Sequence, residues 1–310
     1  MKAYVLHSPG EAPRFTEVDI PEPAPGEVRV RVTAASVNGF DLAVAAGMMA
    51  PFFEYRYPVV LGREFAGVVD AVGPDADGLA PGDRVIGVVA KPHLSEGAFA
   101  EYTTAPVDSA VVHAPASVDD VVAASLAHGG STAVACLEPI DLEGATVLIV
   151  GATGGVGTLA VQLAEAAGAR VIATARTPEG AELLESLGAD AVVAYPDGLG
   201  DAVRALAPDG VDAAIHLAGD PAEISPVVRD GGLFVSPLLY SPEQFADDRL
   251  TFVPIAAAPT REMLASLVAL VDEGSLQIIV DRSFAFDELE DAHAAWGRNT
   301  LGNLVVIAPA

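Results

Sequence analysis

Two short stretches of this chain combine residue types that can do chemistry. The first is the run Gly151, Ala152, Thr153, Gly154, Gly155, Val156 and Gly157, which follows the apolar TVLIV and precedes the helix-forming GTLAVQLAEAAG. Strand, glycine turn and helix in that order gather unpaired backbone N–H groups at the positive end of a helix dipole, a receptor for phosphate. Counting back from Gly157 gives A-x-G-x-x-G, a dinucleotide fingerprint with Ala152 in place of the first glycine. Thr153, Gly154, Gly155 and Val156 are then the ligand-facing residues. Gly154 lets the backbone approach a pyrophosphate, and Gly157 lets helix and strand pack closely. A glycine turn without a ligand is the competing reading, and the second strand RVIAT at the right distance weighs against it.

The second stretch is LGREFAGV, Leu61 to Val68, where adjacent charges Arg63 and Glu64 interrupt an apolar run. Such a pair is either solvated or working. One reading makes it structural, with Glu64 hydrogen-bonded or ion-paired. The other has Arg63 attract an anionic substrate.

The end of the second strand indicates which dinucleotide fits. An NAD site usually places Asp or Glu there to hold the ribose 2′-OH. This chain has Ala173, Thr174, Ala175, Arg176 and Thr177, with no acid before Glu179. Arg176 offers a planar guanidinium for a 2′-phosphate and Thr174 a hydroxyl, so NADP(H) is the expected cofactor. A solvated surface arginine is the alternative for Arg176.

The elements that must position these groups fall into three segments. Residues 1–118 are rich in Gly, Pro and Val, and the alternation of Val28, Val30 and Val32 predicts a β-rich domain. Over 119–272, the runs TVLIV, RVIATA, DAVVAY, VDAAIHL and GLFVSP alternate with Ala/Leu-rich helical stretches that close on or near glycine. That texture predicts βαβ units and a doubly wound parallel sheet, so the fold class is α/β. Residues 273–310 return to strand character and are expected to rejoin the first domain.

The composition narrows the partners. The chain has 310 residues, 51% of them hydrophobic, and a net charge of −27, with 16 Lys+Arg against 43 Asp+Glu. That field repels nucleic acid and anionic membranes. No apolar run reaches the ~20 residues of a membrane span, and the first residues lack a signal-peptide core, so the expectation is a soluble cytoplasmic protein. Cys136 is the only cysteine, which removes an intramolecular disulfide and any multi-cysteine zinc site.

With these motifs in place, the chain resembles a medium-chain dehydrogenase/reductase of the zinc-independent quinone oxidoreductase, zeta-crystallin-like branch. The resemblance runs through PEPAPGEVRVRVTAASVNGFDL, YPVVLGREFAGVVDAVG, LAPGDRVIG, GAFAEY, GGSTAVACL and the glycine loop, and so covers nearly the whole chain. It implies a discontinuous GroES-like β domain and a Rossmann domain, with the active site in the cleft between them. In the family's zinc enzymes a His precedes the Glu of the LGREFAG-like segment and a Cys stands in the SVNGFD-like one. Here those positions are Arg63 and Asn38. Arginine cannot ligate zinc and a carboxamide is a poor substitute for thiolate, so no metal is expected.

Hydride transfer to a quinone or a conjugated enone builds negative charge on the acceptor oxygen, and without a metal hydrogen-bond donors must stabilise it. By resemblance, Asn38 lies beside the nicotinamide or acceptor, with a turn residue as its other reading. Tyr55 and Tyr57 belong to a pocket-lining loop, where packing competes with an acid role. Thr132 approaches the cofactor, Leu217 and Ala218 flank the adenosine and ribose, and Ser236 lies in the stretch facing the carboxamide. His128 is read as a structural or cofactor-proximal histidine and not as a general acid, and Cys136 as buried packing. Asn303 stands where a basic residue is usual, which puts a phosphate contact from the tail in doubt. The family also implies a homodimer, with GGLFVSP as the edge strand. The alternatives are a pathway-specific enoyl reductase and a non-catalytic NADPH binder.

Overall fold

The computed structural model describes residues 1–309, apart from the side chain of Ser109. Two compact units divide the chain. One holds Met1–His128, Pro259–Arg298 and the tail from Asn303, and the other holds Gly129–Ala258 with Asn299–Gly302. The sequence places the divisions at 118 and 272, whereas the contacts place them at 128/129 and 258/259. The difference at the second boundary is the helix Arg261–Asp272, which packs on the strand Val111–His113 and the short helix Val107–Ala110 of the β-rich unit. Its helical periodicity shows an amphipathic face without showing which sheet covers that face.

In the β-rich unit the main sheet runs Val111–His113, Arg84–Val88, Glu64–Val72, Glu27–Ser36, Asn303–Ile307 and Val280–Ala285, and Tyr102–Pro106 also pairs with Glu27–Ser36. Alternation sets the faces: Val28, Val30 and Val32 are buried while Arg29 and Arg31 point away from the core. The tail strand Asn303–Ile307 pairs antiparallel with Glu27–Ser36, so the chain's end is stitched into its beginning. The strands Glu27–Ser36 and Glu64–Val72 are neighbours in this sheet. Their ends therefore bring Asn38 and Glu64 together.

The other unit is a six-stranded parallel sheet in the order Ala191–Ala194, Arg170–Ala175, Thr146–Val150, Val211–His216, Val228–Ser236, Thr251–Pro254. Every strand expected from the hydrophobic runs is present. The order reverses beside Thr146–Val150, and in such sheets ligands bind outside the carboxyl ends of the strands at that point. GGLFVSP is not the edge strand, because Val228–Ser236 has a neighbour on each side and the edge passes to Thr251–Pro254. That four-residue strand follows the polar SPEQFADDRL and ends in proline, so its sequence carries little strand signal. No helix among the described residues is long and apolar enough to cross a membrane.

Candidate functional site

In the β-rich unit the chemistry-bearing groups meet around Arg63. Asn38 is the N-cap residue of the helix Gly39–Ala45, extended at φ −121° and ψ 156°. Its backbone N–H donates to Asp41 Oδ2 at 2.8 Å, while its side-chain Nδ2 donates to Glu64 Oε1 at 2.9 Å and the Ser36 carbonyl at 3.3 Å. Glu64 Oε2 accepts the His128 backbone N–H at 2.7 Å. Both Glu64 oxygens are thus engaged and the side chain is fully buried. Asn38, expected as an oxyanion donor, has its amide N–H groups turned inward and would have to release the longer bond to serve as one.

Arg63 lies over the Phe40 ring, its guanidinium carbon 4.4 Å from the ring centroid. Nη1 donates to the Val89 carbonyl at 2.9 Å, and the buried Nε has no partner. Burial lowers its pKa to about 10, against the charges of Asp41 and Glu64, and it stays protonated at neutral pH. Burial pushes the Asp41 carboxyl up to about 8, outweighing the Asn38 N–H bond and the charge of Arg63. Burial, followed by the charge of Arg63, brings His128 down to about 3 and keeps its ring neutral. Cys136 is buried, and its thiol is pushed up to about 12 by that burial alone.

The two tyrosines join the core instead of this cluster. Tyr55 donates its hydroxyl to the Val44 carbonyl at 3.0 Å and packs on Tyr57, ring centroids 5.7 Å apart. Both are half-buried against the apolar core. A hydroxyl that closes off a carbonyl near the end of a helix is a packing device. It is not a poised acid, and burial raises its pKa further.

In the parallel unit the glycine loop has the geometry that a dinucleotide requires. Gly151 takes φ +86°, and its N–H donates to Thr174 Oγ1 at 3.1 Å. A Cβ on Gly157 would come within 2.5 Å of Ala152 Cα, so only glycine allows this helix to leave the strand so closely. Around Gly154, at the N-terminus of the helix Gly155–Ala166, a Cβ would meet only the Gly151 carbonyl, at 3.5 Å. Thr153, Gly155 and Val156 complete a partly open turn with that space in front of it. The loop is pinned from the far end of the chain, where the Gly302 N–H donates to the Thr153 carbonyl at 2.7 Å.

Thr174 is buried and its hydroxyl is taken by Gly151, so it braces the loop instead of facing a 2′-phosphate. Arg176 is exposed, and its Nη1 lies 3.5 Å from Asn299 Oδ1. Asn299, at φ +54°, had no signal in the sequence, since 123 residues separate it from Arg176. Leu217 and Ala218 lie beside the loop: the Leu217 N–H donates to the Val150 carbonyl at 2.9 Å, and Ala218 abuts Gly151. Ser236 is fully buried and its Oγ is committed to His216 Nδ1 at 3.0 Å and to the N–H groups of Leu238 and Leu239. His216 Nε2 faces the Gly219 carbonyl at 3.1 Å, so Nε2 carries the ring proton and Nδ1 accepts from Ser236. Thr132 is buried within the helix Ala127–Leu137. Asn303, at the start of its strand, donates Nδ2 to the Ile279 carbonyl at 3.0 Å and so tethers the tail.

The donor set around Asn38 and Arg63 does not fit zinc, since a protonated guanidinium and an amide already bonded to a carboxylate offer it no ligands. The loop, by contrast, fits a dinucleotide, with an open backbone turn at a helix N-terminus on the sheet's switch point.

Comparisons with known proteins agree with this geometry. Residues 24–116 match the alcohol dehydrogenase GroES-like domain, and residues 155–235 match the zinc-binding dehydrogenase model. A chloroplast envelope quinone oxidoreductase homolog of Arabidopsis thaliana is 32% identical, over 90% of this chain and 88% of its own length. A 2-haloacrylate reductase of a Burkholderia species is 30% identical, over 99% of each chain. The solved quinone oxidoreductase of Coxiella burnetii superposes with a TM-score of 0.86 at 28% identity, covering 100% of this chain and 99% of its own. With its GroES-like unit, its parallel dinucleotide sheet and these relatives, the chain belongs to the medium-chain dehydrogenase/reductase family of oxidoreductases, in the quinone oxidoreductase branch.

Proposed function

We propose that this oxidoreductase is NADPH-dependent and zinc-independent and passes hydride to a quinone or an α,β-unsaturated carbonyl. The observation that carries the reading is the glycine loop with its open turn at Gly154, next to the strand Arg170–Ala175, which is followed by Arg176 beside Asn299 and by no acid before Glu179. Arg176 can pair bidentately with a 2′-phosphate, and Asn299 can orient it. The bound dihydronicotinamide supplies the hydride. The chain's own residues bind and orient it: Gly155 and Val156 through backbone N–H groups at the helix start, Gly154 by the open space in front of its Cα, Leu217 and Ala218 by packing beside the loop. Metal independence is supported by the chemistry of Asn38 and Arg63, and an unsaturated acceptor by the names of two relatives, a quinone oxidoreductase homolog and a 2-haloacrylate reductase.

The test follows NADPH and NADH consumption against an ortho-quinone and a simple enone, with chelator present. NADPH should be preferred at least tenfold, and Arg176→Ala should abolish the preference by weakening NADPH alone. Equal use of both cofactors would overturn the 2′-phosphate role. Loss of activity with chelator would overturn metal independence. Tight NADPH binding without turnover of either acceptor would favour a narrower enzyme or a non-catalytic binder.

A further inference from the structure

The switch point of the parallel sheet falls between the strands Thr146–Val150 and Val211–His216, whose last residues, Val150 and His216, are backbone partners. The glycine loop leaves from the first strand and residues 217–219 from the second. On the other side Ile215 pairs with Val235, so His216 stands beside Ser236, from which residues 237–240 lead away. A buried chain of hydrogen bonds joins these last two loops. His216 Nε2 donates to the Gly219 carbonyl at 3.1 Å, Ser236 Oγ donates to His216 Nδ1 at 3.0 Å, and the N–H groups of Leu238 and Leu239 donate to Ser236 Oγ at 3.1 and 3.2 Å.

Every group in this chain is saturated. A neutral imidazole has one donor and one acceptor, and a hydroxyl has one proton and two acceptor positions. Both side chains are buried, so water does not stand in for a lost partner. The arrangement therefore requires the neutral ring. A proton on Nδ1 would point at Ser236 Oγ, which would have to turn its own proton away and release Leu238 or Leu239. Burial lowers the His216 pKa, against the Gly219 carbonyl and the charge of Asp220, which both favour the proton. Beyond Asp220 lie Tyr195, whose hydroxyl accepts the Asp220 N–H, and Glu223, which accepts from that hydroxyl. From the sheet, the Phe234 ring faces the imidazole at 5.4 Å between centroids.

We propose that His216 is a positioning residue for the dinucleotide: as a neutral ring it ties residues 217–219 to residues 237–239 beside the switch point, and acidification releases that tie and weakens cofactor binding. The proposal rests on the dinucleotide reading above. Ligands of such sheets lie outside the carboxyl ends of the strands at the switch point, which is where both tied loops begin. The tie also reaches the glycine loop, since Ala218 abuts Gly151 and the Leu217 N–H holds the Val150 carbonyl. The glycine loop itself carries no titratable group, so the pH dependence enters through this neighbouring tie.

Two measurements test the proposal. In the first, NADP+, which survives acid, is titrated calorimetrically from pH 7.5 to pH 5 into the wild type, His216→Asn and Ser236→Ala, with melting temperatures taken alongside to show that each is folded. In His216→Asn the Oδ1 can replace Nδ1 as the acceptor from Ser236, and the side chain gains no proton. At pH 7.5 this variant should keep most of the wild-type affinity, whereas Ser236→Ala, which leaves two N–H groups and Nδ1 unpaired, should lose about tenfold. Between pH 7.5 and pH 5 the wild type should lose about threefold or more beyond His216→Asn, within the tenfold per pH unit that one proton allows. Titration of the 2′-phosphate is common to both proteins and cancels. Parallel pH curves would overturn the tie and leave the cofactor reading standing. No binding of NADP+ or NAD+ by the wild type at pH 7.5 would overturn the cofactor reading, and the positioning role with it. The second measurement needs no variant: amide hydrogen exchange of the cofactor-free wild type, corrected for the intrinsic rate at each pH. Protection of Leu238 and Leu239 should fall about tenfold from pH 7.5 to pH 5 while that of Val147 to Ile149 holds. Constant protection at Leu238 and Leu239 would overturn the proposal.

Discussion

Gly151–Gly157 is one continuous backbone turn leading into a helix, whereas around Arg63 the side chains of Asn38, Asp41, Arg63 and Glu64 bond to one another and to backbone groups of residues 36, 38, 89 and 128. The first site is held by local geometry: a positive φ at Gly151, a close approach at Gly157 and a helix start at Gly155. The second is held by buried charge and by bonds between distant residues, and its properties change with protonation. A backbone site should therefore be sensitive to shape and indifferent to pH, and the side-chain site the reverse.

The largest effect should come from breaking the loop's close contact. Gly157→Val would drive side-chain carbon into the Ala152 backbone, with no flexible atom able to yield. The expected cost is about 3 kcal/mol or more, seen as a lower denaturation midpoint together with lost cofactor binding. Gly154→Ala sharpens the point: its Cβ enters open space, so the fold should hold at near wild-type stability while NADPH affinity falls tenfold or more by titration. Equal stability of the two variants would undo the distinction between a packing glycine and a ligand-facing one.

The side-chain site should show its character in pH dependence. Asp41 keeps its proton in the folded state up to about 8, while in the unfolded chain it loses it near its ordinary 3.8. Its contribution to stability is therefore fully present below pH 3.8 and is lost as the pH rises through about 8, at no more than about 1.4 kcal/mol per pH unit. Asp41→Asn removes that titration and can still accept the Asn38 N–H bond. Melting temperatures from pH 5 to pH 8 should thus fall less for the variant than for the wild type, and parallel curves would show that Asp41 is ionised in the fold. The smallest effect belongs to Tyr55→Phe, which loses one hydrogen bond to Val44 and about 1 kcal/mol. Turnover should be unchanged, and a large fall in kcat would restore the acid role that its geometry argues against.

Much of this molecule is legible without coordinates, for a physical reason. Strand, glycine turn and helix at 146–166 are encoded by period-2 and period-3.6 patterns and by residues whose backbone freedom is intrinsic. The same holds for Val28, Val30 and Val32 on one face. The identities of Arg63, Asn38 and Arg176 likewise limit chemistry before any fold is known. What a hydroxyl or amide bonds to is a different matter, because its partner lies far along the chain: 26 residues from Asn38 to Glu64, 64 from Glu64 to His128, 123 from Arg176 to Asn299. Tertiary structure alone decided that Thr174 braces the loop, that Tyr55 closes off a helix carbonyl, that Thr251–Pro254 covers the expected edge strand, and that Arg63 is left with a buried donor to spare. Spacing in sequence determines local shape, whereas hydrogen-bond partners and desolvation are set by packing between remote segments.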